Sequence, residues 1–188
     1  MGFLSRVVLA FFFVSMSATS FDSGGLEYQS ENFSLTINSD GSGELAVLYK
    51  DFGSKEEKGS IRKKELSYLR DKVMSNGLVE EASAEGVEIM ERRLDFENYS
   101  LGGFVRAKSA AYGRIFDVFT LYKLEIEDKI YITPLNGLVG QATLSPGGEI
   151  VIRNNKYAFA WPTDAKLLEF NAAYKVKGIS FRAELGKR

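Results

Sequence analysis

Residues 33–49 read Phe33-Ser34-Leu35-Thr36-Ile37-Asn38-Ser39-Asp40-Gly41-Ser42-Gly43-Glu44-Leu45-Ala46-Val47-Leu48-Tyr49. Phe33, Leu35 and Ile37 alternate with Ser34, Thr36 and Asn38. After a polar break, Leu45, Val47 and Tyr49 alternate with Glu44, Ala46 and Leu48. A period of two on both sides of a short, glycine-containing turn is the pattern of a half-buried β-hairpin. Gly41 and Gly43 tolerate positive φ, and the Asp40 carboxylate can bond the turn backbone. The order Asn38-x-Asp40-Gly41 has a faint likeness to a calcium loop. That loop needs another oxygen ligand before the glycine and a bidentate Glu at its end. Neither is in place, so the stretch reads as a turn and no metal or cofactor is expected.

Downstream the period changes. Leu66, Leu69 and Val73 stand at i, i+3 and i+7, flanked by Ile61 and Met74, which predicts a helix over about 60–75. Ser60 offers its N-cap and Asn76-Gly77 its stop. The opposite face carries Arg62, Lys63, Arg70 and Lys72, and residues 55–72 hold 7 basic against 4 acidic side chains. A solvated face with Glu/Lys pairs is the expected reading, and peripheral contact with anionic lipid headgroups is the alternative. Glu80, Glu81 and Glu85 read as an acidic loop, not as a working carboxylate pair.

From Gly86 onward the pattern is mostly strand. Val87 and Ile89 start one, Leu94 and Phe96 continue it, and the slip of phase at residues 90–93 predicts a bulge. Tyr99 to Gly103 reads as a turn. Tyr112, Ile115, Phe116 and Phe119 have helical spacing, which predicts a short second helix or turn near 110–120. Turns at Glu127-Asp128-Lys129, Pro146-Gly147-Gly148 and Arg153-Asn154-Asn155-Lys156 separate the remaining alternating segments. The expected fold is α+β: a largely antiparallel sheet built from hairpins and packed against one main helix.

Composition narrows the function. The chain has 188 residues, 24 basic and 25 acidic, for a formal charge of −1, so no global field points to nucleic acid. It has no histidine and no cysteine, which excludes disulfides, thiolate or imidazole metal sites, and Ser-His-Asp or Cys-His catalysis. Glycines at 137, 140, 147 and 148 are not followed by Lys-Ser or Lys-Thr, so no phosphate loop is present. Residues 1–20 have the three parts of a secretory signal. They are a start charged by Arg6, the apolar run Val7-Val8-Leu9-Ala10-Phe11-Phe12-Phe13-Val14, and a small-residue exit. The run falls short of the ~20 apolar residues of a spanning helix. The expected organisation is a signal peptide over 1–20 and a single α+β domain over 21–188, exported to the periplasm or cell envelope. Without disulfides that domain rests on packing alone, which suits a bacterial envelope.

Aromatic residues concentrate in the second half. They suggest either an apolar cavity or an ordinary core. Three features together resemble the LppM-like domain of bacterial secreted and envelope proteins. They are a strand running through Asp40-Gly41-Ser42-Gly43 into Glu44-Leu45-Ala46-Val47, a helix followed by Gly86-Val87-Glu88-Ile89, and the late Tyr157-Ala158-Phe159-Ala160-Trp161-Pro162. The likeness spans roughly residues 27–174. It implies an α+β domain with an apolar cavity, an envelope location and a lipid or glycolipid ligand. The chain departs from that family in lacking a lipobox cysteine and in its polar end, Glu184 to Arg188.

The leading expectation is therefore a non-enzymatic, exported domain that holds a lipid-like or apolar ligand between sheet and helix. Leu66, Leu69 and Val73 would form one wall, and Phe104, Phe116, Phe159 and Trp161 the other. The alternative is a structural or interaction subunit of an envelope assembly, with a filled core and an exposed strand edge for an envelope protein partner.

Overall fold

The hairpin read at residues 33–49 forms the centre of the larger of two sheets. In the computed structural model, which describes residues 26–181 except 75, 98, 99, 120 and 135–137, strand β1 is Leu26–Ile37 and β2 is Gly43–Ser54. Their register places Phe33 opposite Val47 and Leu35 opposite Leu45. Gly41 closes the turn at φ 84°, with its N–H on the Asn38 carbonyl at 3.0 Å. Asp40 Oδ1 accepts from the Ser42 N–H at 2.9 Å and from the Ser42 hydroxyl at 2.7 Å. The turn aspartate thus serves the backbone, as an Asx turn does.

Helix α1 (Gly59–Met74) follows. It starts one residue before the expected cap, with the N–H groups of Ile61 and Arg62 both donating to the Lys58 carbonyl. The acidic loop expected around Glu80 is instead a second helix, α2 (Asn76–Ala84). Helix α1 ends at Met74, just ahead of the expected stop, and Gly77 lies in the first turn of α2. Leu78 packs against the core and Ala82 is fully buried one turn later, which gives the segment an apolar face beneath its exposed Glu80 and Glu81. The stop comes at Gly86, in the left-handed region at φ 73°, where the Glu85 and Gly86 N–H groups close on the carbonyls of Ala82 and Ser83.

Strands β3 (Val87–Glu97) and β4 (Ser100–Ser109) form the next hairpin, and the expected bulge lies between Ile89 and Glu91. Gly102 and Gly103, read as turn residues, are in the strand, paired with Asp95 and Leu94 of β3, and they are glycine because the chain passes too close to its neighbour for a side chain. A Cβ on Gly102 would lie 2.8 Å from the Tyr49 carbonyl oxygen. A 3-10 turn (Tyr112–Arg114) leads into the short helix α3 (Ile115–Val118), where the sequence placed one. The rest is β5 (Tyr122–Ile126), β6 (Lys129–Pro134), β7 (Leu138–Leu144), β8 (Glu149–Arg153), β9 (Lys156–Pro162), β10 (Leu167–Lys175) and β11 (Ile179–Ser180).

The larger sheet has the order β3-β4-β2-β1-β10-β7, with β11 added to β2, and the smaller has β5-β6-β9-β8. Every pairing is antiparallel. Among the described residues strand outweighs helix by 58% to 21%, and three helices stand where one main helix and a possible short second one were expected. The fold is accordingly β-rich rather than α+β around one helix. On the inner face of the large sheet, the helices cover the β3–β4 side, where Arg92 Nη2 reaches the Met74 carbonyl at the α1–α2 junction. The small sheet covers β1 and β10, where Phe33 stacks on Phe170 at 4.7 Å and Phe159 meets Phe170 at 4.3 Å. One continuous core joins both halves. The expected signal (residues 1–20) and the polar end (184–188) lie outside the described residues.

Candidate functional site

Strand alternation and helix phase decide where the seven expected ligand contacts point. Leu69 is buried and Leu66 half-buried, both on the core side of α1. The side chain of Val73 lies outside the described ones. Phe116 is buried on α3 against Phe33, at 6.5 Å between ring centres. Phe159 and Trp161 have no exposed surface, and the Trp161 indole N–H donates to the Ser145 hydroxyl at 3.0 Å. The structure thus brings Phe116, Phe159 and Trp161 into the core that Leu66 and Leu69 also join. It does not bring Phe104 there. Leu101, Gly103, Val105 and Ala107 take the inner face of β4, so Phe104 faces outward and lies beneath the Arg93 guanidinium, 4.3 Å from its ring centre. The aromatic rings between the sheets meet edge-on, stacked or tilted.

A buried polar cluster escaped the sequence reading. Glu31 has no exposed surface. The hydroxyls of Tyr122 and Tyr174 donate to its two carboxylate oxygens, and the Tyr49 hydroxyl lies 3.2 Å from that of Tyr122. Tyr28 stands edge-on to Tyr49 and Tyr174, its hydroxyl buried without a hydrogen bond. Asp51, in the left-handed region at φ 55° and held by the hydroxyls of Ser100 and Ser180, marks the point on β2 beyond which Tyr28 and Phe52 turn inward. Burial pushes the Glu31 carboxyl above its usual range, and the tyrosine hydrogen bonds offset this only in part. Burial holds all four phenols far on the neutral side. The alternation Phe33-Leu35-Ile37, continued backward, assigns Glu31 to the core face. That is the sequence signal for this cluster.

An open groove of about 550 Å³ runs between α2, the open end of the β3–β4 hairpin at Val87 and Ser109, and the β1–β2 turn. Val79, Val87 and Ile89 give it apolar surface, and Asn38, Ser42 and Ser83 give it hydroxyl and amide groups. Lys108 and Glu88 also line it, paired at 3.1 Å. None of the six expected contacts whose side chains are described lines this groove. Among the described residues, no group of His, Cys, Asp and Glu is placed to hold a metal ion, and no helix is long and apolar enough to cross a membrane. No protein-family model matches the chain, and neither does any curated protein or solved structure.

Proposed function

We propose that this protein is an exported, non-enzymatic domain of the bacterial cell envelope that works by surface contact, as an interaction subunit of an envelope assembly. The supporting observation is the filled interior. Phe116, Phe159 and Trp161 are buried and packed ring against ring or bonded to a neighbour, not lining an opening. Glu31 is sealed in among the tyrosines with no exposed surface, and Glu65 on α1 is buried as well. A domain of this kind offers its outer surfaces and sheet edges to partners.

A second reading, a lipid-like or apolar ligand held between helix and sheet, draws on the groove beside α2. Its volume lies in the range of small-molecule sites. The resemblance to LppM-like domains favours this reading, with the ligand wall moved from α1 to Val79, Val87 and Ile89. Native mass spectrometry of the gently extracted protein separates the two. A discrete assembly without added mass supports the interaction subunit. A monomer that carries a lipid overturns it in favour of the ligand reading.

A further inference from the structure

Among the described residues, strand β8 ends the smaller sheet with nothing on its outer edge. The β8–β9 turn has two residues, Asn154 and Asn155, both in the left-handed region at φ 49° and 61°, between the paired Arg153 and Lys156. In such a turn the flanking pair exchanges its backbone hydrogen bonds. Bonding then alternates along the strand, so Val151 and Glu149 also bond inward to β9. The N–H and C=O groups of Ile150 and Ile152 therefore point outward. Their side chains are 45% and 70% exposed, and Tyr157, opposite Ile152, is 42% exposed.

The edges at β3, β5 and β7 are blunted by the devices that keep strands from adding to one another. Strand β3 has its bulge and the ion pairs of Arg93 with Glu91 and Asp95. Strand β5 buries Tyr122, pairs Lys123 with Glu125 at 2.8 Å, and has α3 packed beside it. Strand β7 carries Gly140, next to a register shift against β10. Strand β8 has no proline, lysine or bulge.

We propose that the outer edge of β8 pairs antiparallel with the same edge of a second copy of the chain, about a two-fold axis at Val151. This names the partner, and so rests on the interaction-subunit reading. The sequence Glu149-Ile150-Val151-Ile152-Arg153 is its own complement in this register. Ile150 comes opposite Ile152 of the partner subunit, so the outward backbone groups of both copies satisfy one another. Glu149 comes opposite Arg153 of the partner subunit. Each of these charges already has an opposite neighbour in its own chain, Lys129 for Glu149 and Glu127 for Arg153. The paired edges therefore carry charges that alternate in sign. A five-residue pairing covers little area, so the dimer is weak and dependent on concentration.

Sedimentation velocity on the purified protein over a broad concentration range tests this. The wild type is expected to show a reversible monomer–dimer equilibrium. Ile152→Lys is expected to remain monomeric with an unchanged melting temperature, since Ile152 takes little part in the core. Glu149→Arg and Arg153→Glu should each weaken the dimer by an order of magnitude or more. The double variant Glu149→Arg/Arg153→Glu should restore it, and a mixture of the two single variants should form a heterodimer. A wild type that stays monomeric at every concentration overturns the proposal. So does a dimer that survives Ile152→Lys and ignores the charge reversals, and that result leaves the interaction-subunit reading standing with another surface. Failure of that reading shows separately, as lipid mass on a monomer.

Discussion

The Tyr122 hydroxyl, on the small sheet, donates to the Glu31 carboxylate, on the large one, across 91 residues of sequence. Both groups are buried. A hydrogen bond to a charged or partly charged acceptor in a dry interior is costly to leave half-made. This bond therefore ties the angle at which one sheet lies on the other to a single pair of side chains.

Removing the Tyr122 hydroxyl tests that tie. Tyr122→Phe keeps the ring that packs edge-on to Phe33 at 5.0 Å and leaves one Glu31 oxygen without its donor. A loss of about 1–3 kcal/mol in unfolding free energy is expected by urea denaturation. Because Tyr174 bonds the other oxygen, Tyr122→Phe and Tyr174→Phe should not add when combined. Additive losses would mean the two tyrosines act independently.

The raised Glu31 carboxyl makes stability depend on pH. In the folded chain it holds its proton more tightly than the ordinary unfolded value of about 4.3 allows. Its favourable contribution is complete below that unfolded value and is lost as pH rises through the raised folded one. Asp40, Glu125 and Asp128 shift the opposite way but lie on the surface. Subtracting the Glu31→Gln profile from the wild type isolates the buried group. The difference should favour the wild type in acid and decline above the carboxylate range. A flat difference would contradict the burial of a titrating Glu31.

The two faces of the aromatic set should respond differently to truncation. Phe159→Ala opens a hole in the core and is expected to cost about 3–5 kcal/mol. Phe104→Ala removes an outward ring beneath Arg93 and should cost about 0.5–1 kcal/mol beyond its small area. Equal losses by thermal or urea unfolding would place both rings in one environment.

Gly86 ends α2 at positive φ, and a Cβ there would meet no neighbouring atom. Gly86→Ala therefore isolates backbone strain from crowding. A loss of about 1–2 kcal/mol is expected, with Gly86→Asn losing less, measured as a shift in the denaturation midpoint.

The second helix shows where reading by local pattern stopped. Leu78, Val79 and Ala82 are too few to announce a helical face, and Asn76-Gly77 has the composition of a stop. The burial of Leu78 and Ala82, with α2 packed on β3, supplies what the pattern lacks. Likewise Phe104 and Val105 are equally apolar neighbours, and only the pairing of β4 with β2, Val105 against Val47, assigns Val105 to the core and Phe104 to the outer face.

The sequence by itself determined the central hairpin with its Asp40-Gly41 turn, the helix at Leu66 and Leu69, the bulge in β3 and the tight turn at Asn154-Asn155. These depend on the spacing and conformational freedom of residues only a few positions apart. Tertiary structure alone decided that β1 lies beside β10, that Glu31 sits among four tyrosines, that the aromatic residues close on one another, and that β8 is left at an open edge. Each of these outcomes is set by packing between segments far apart in the chain, where the energy belongs to the pair and neither partner's local pattern carries it.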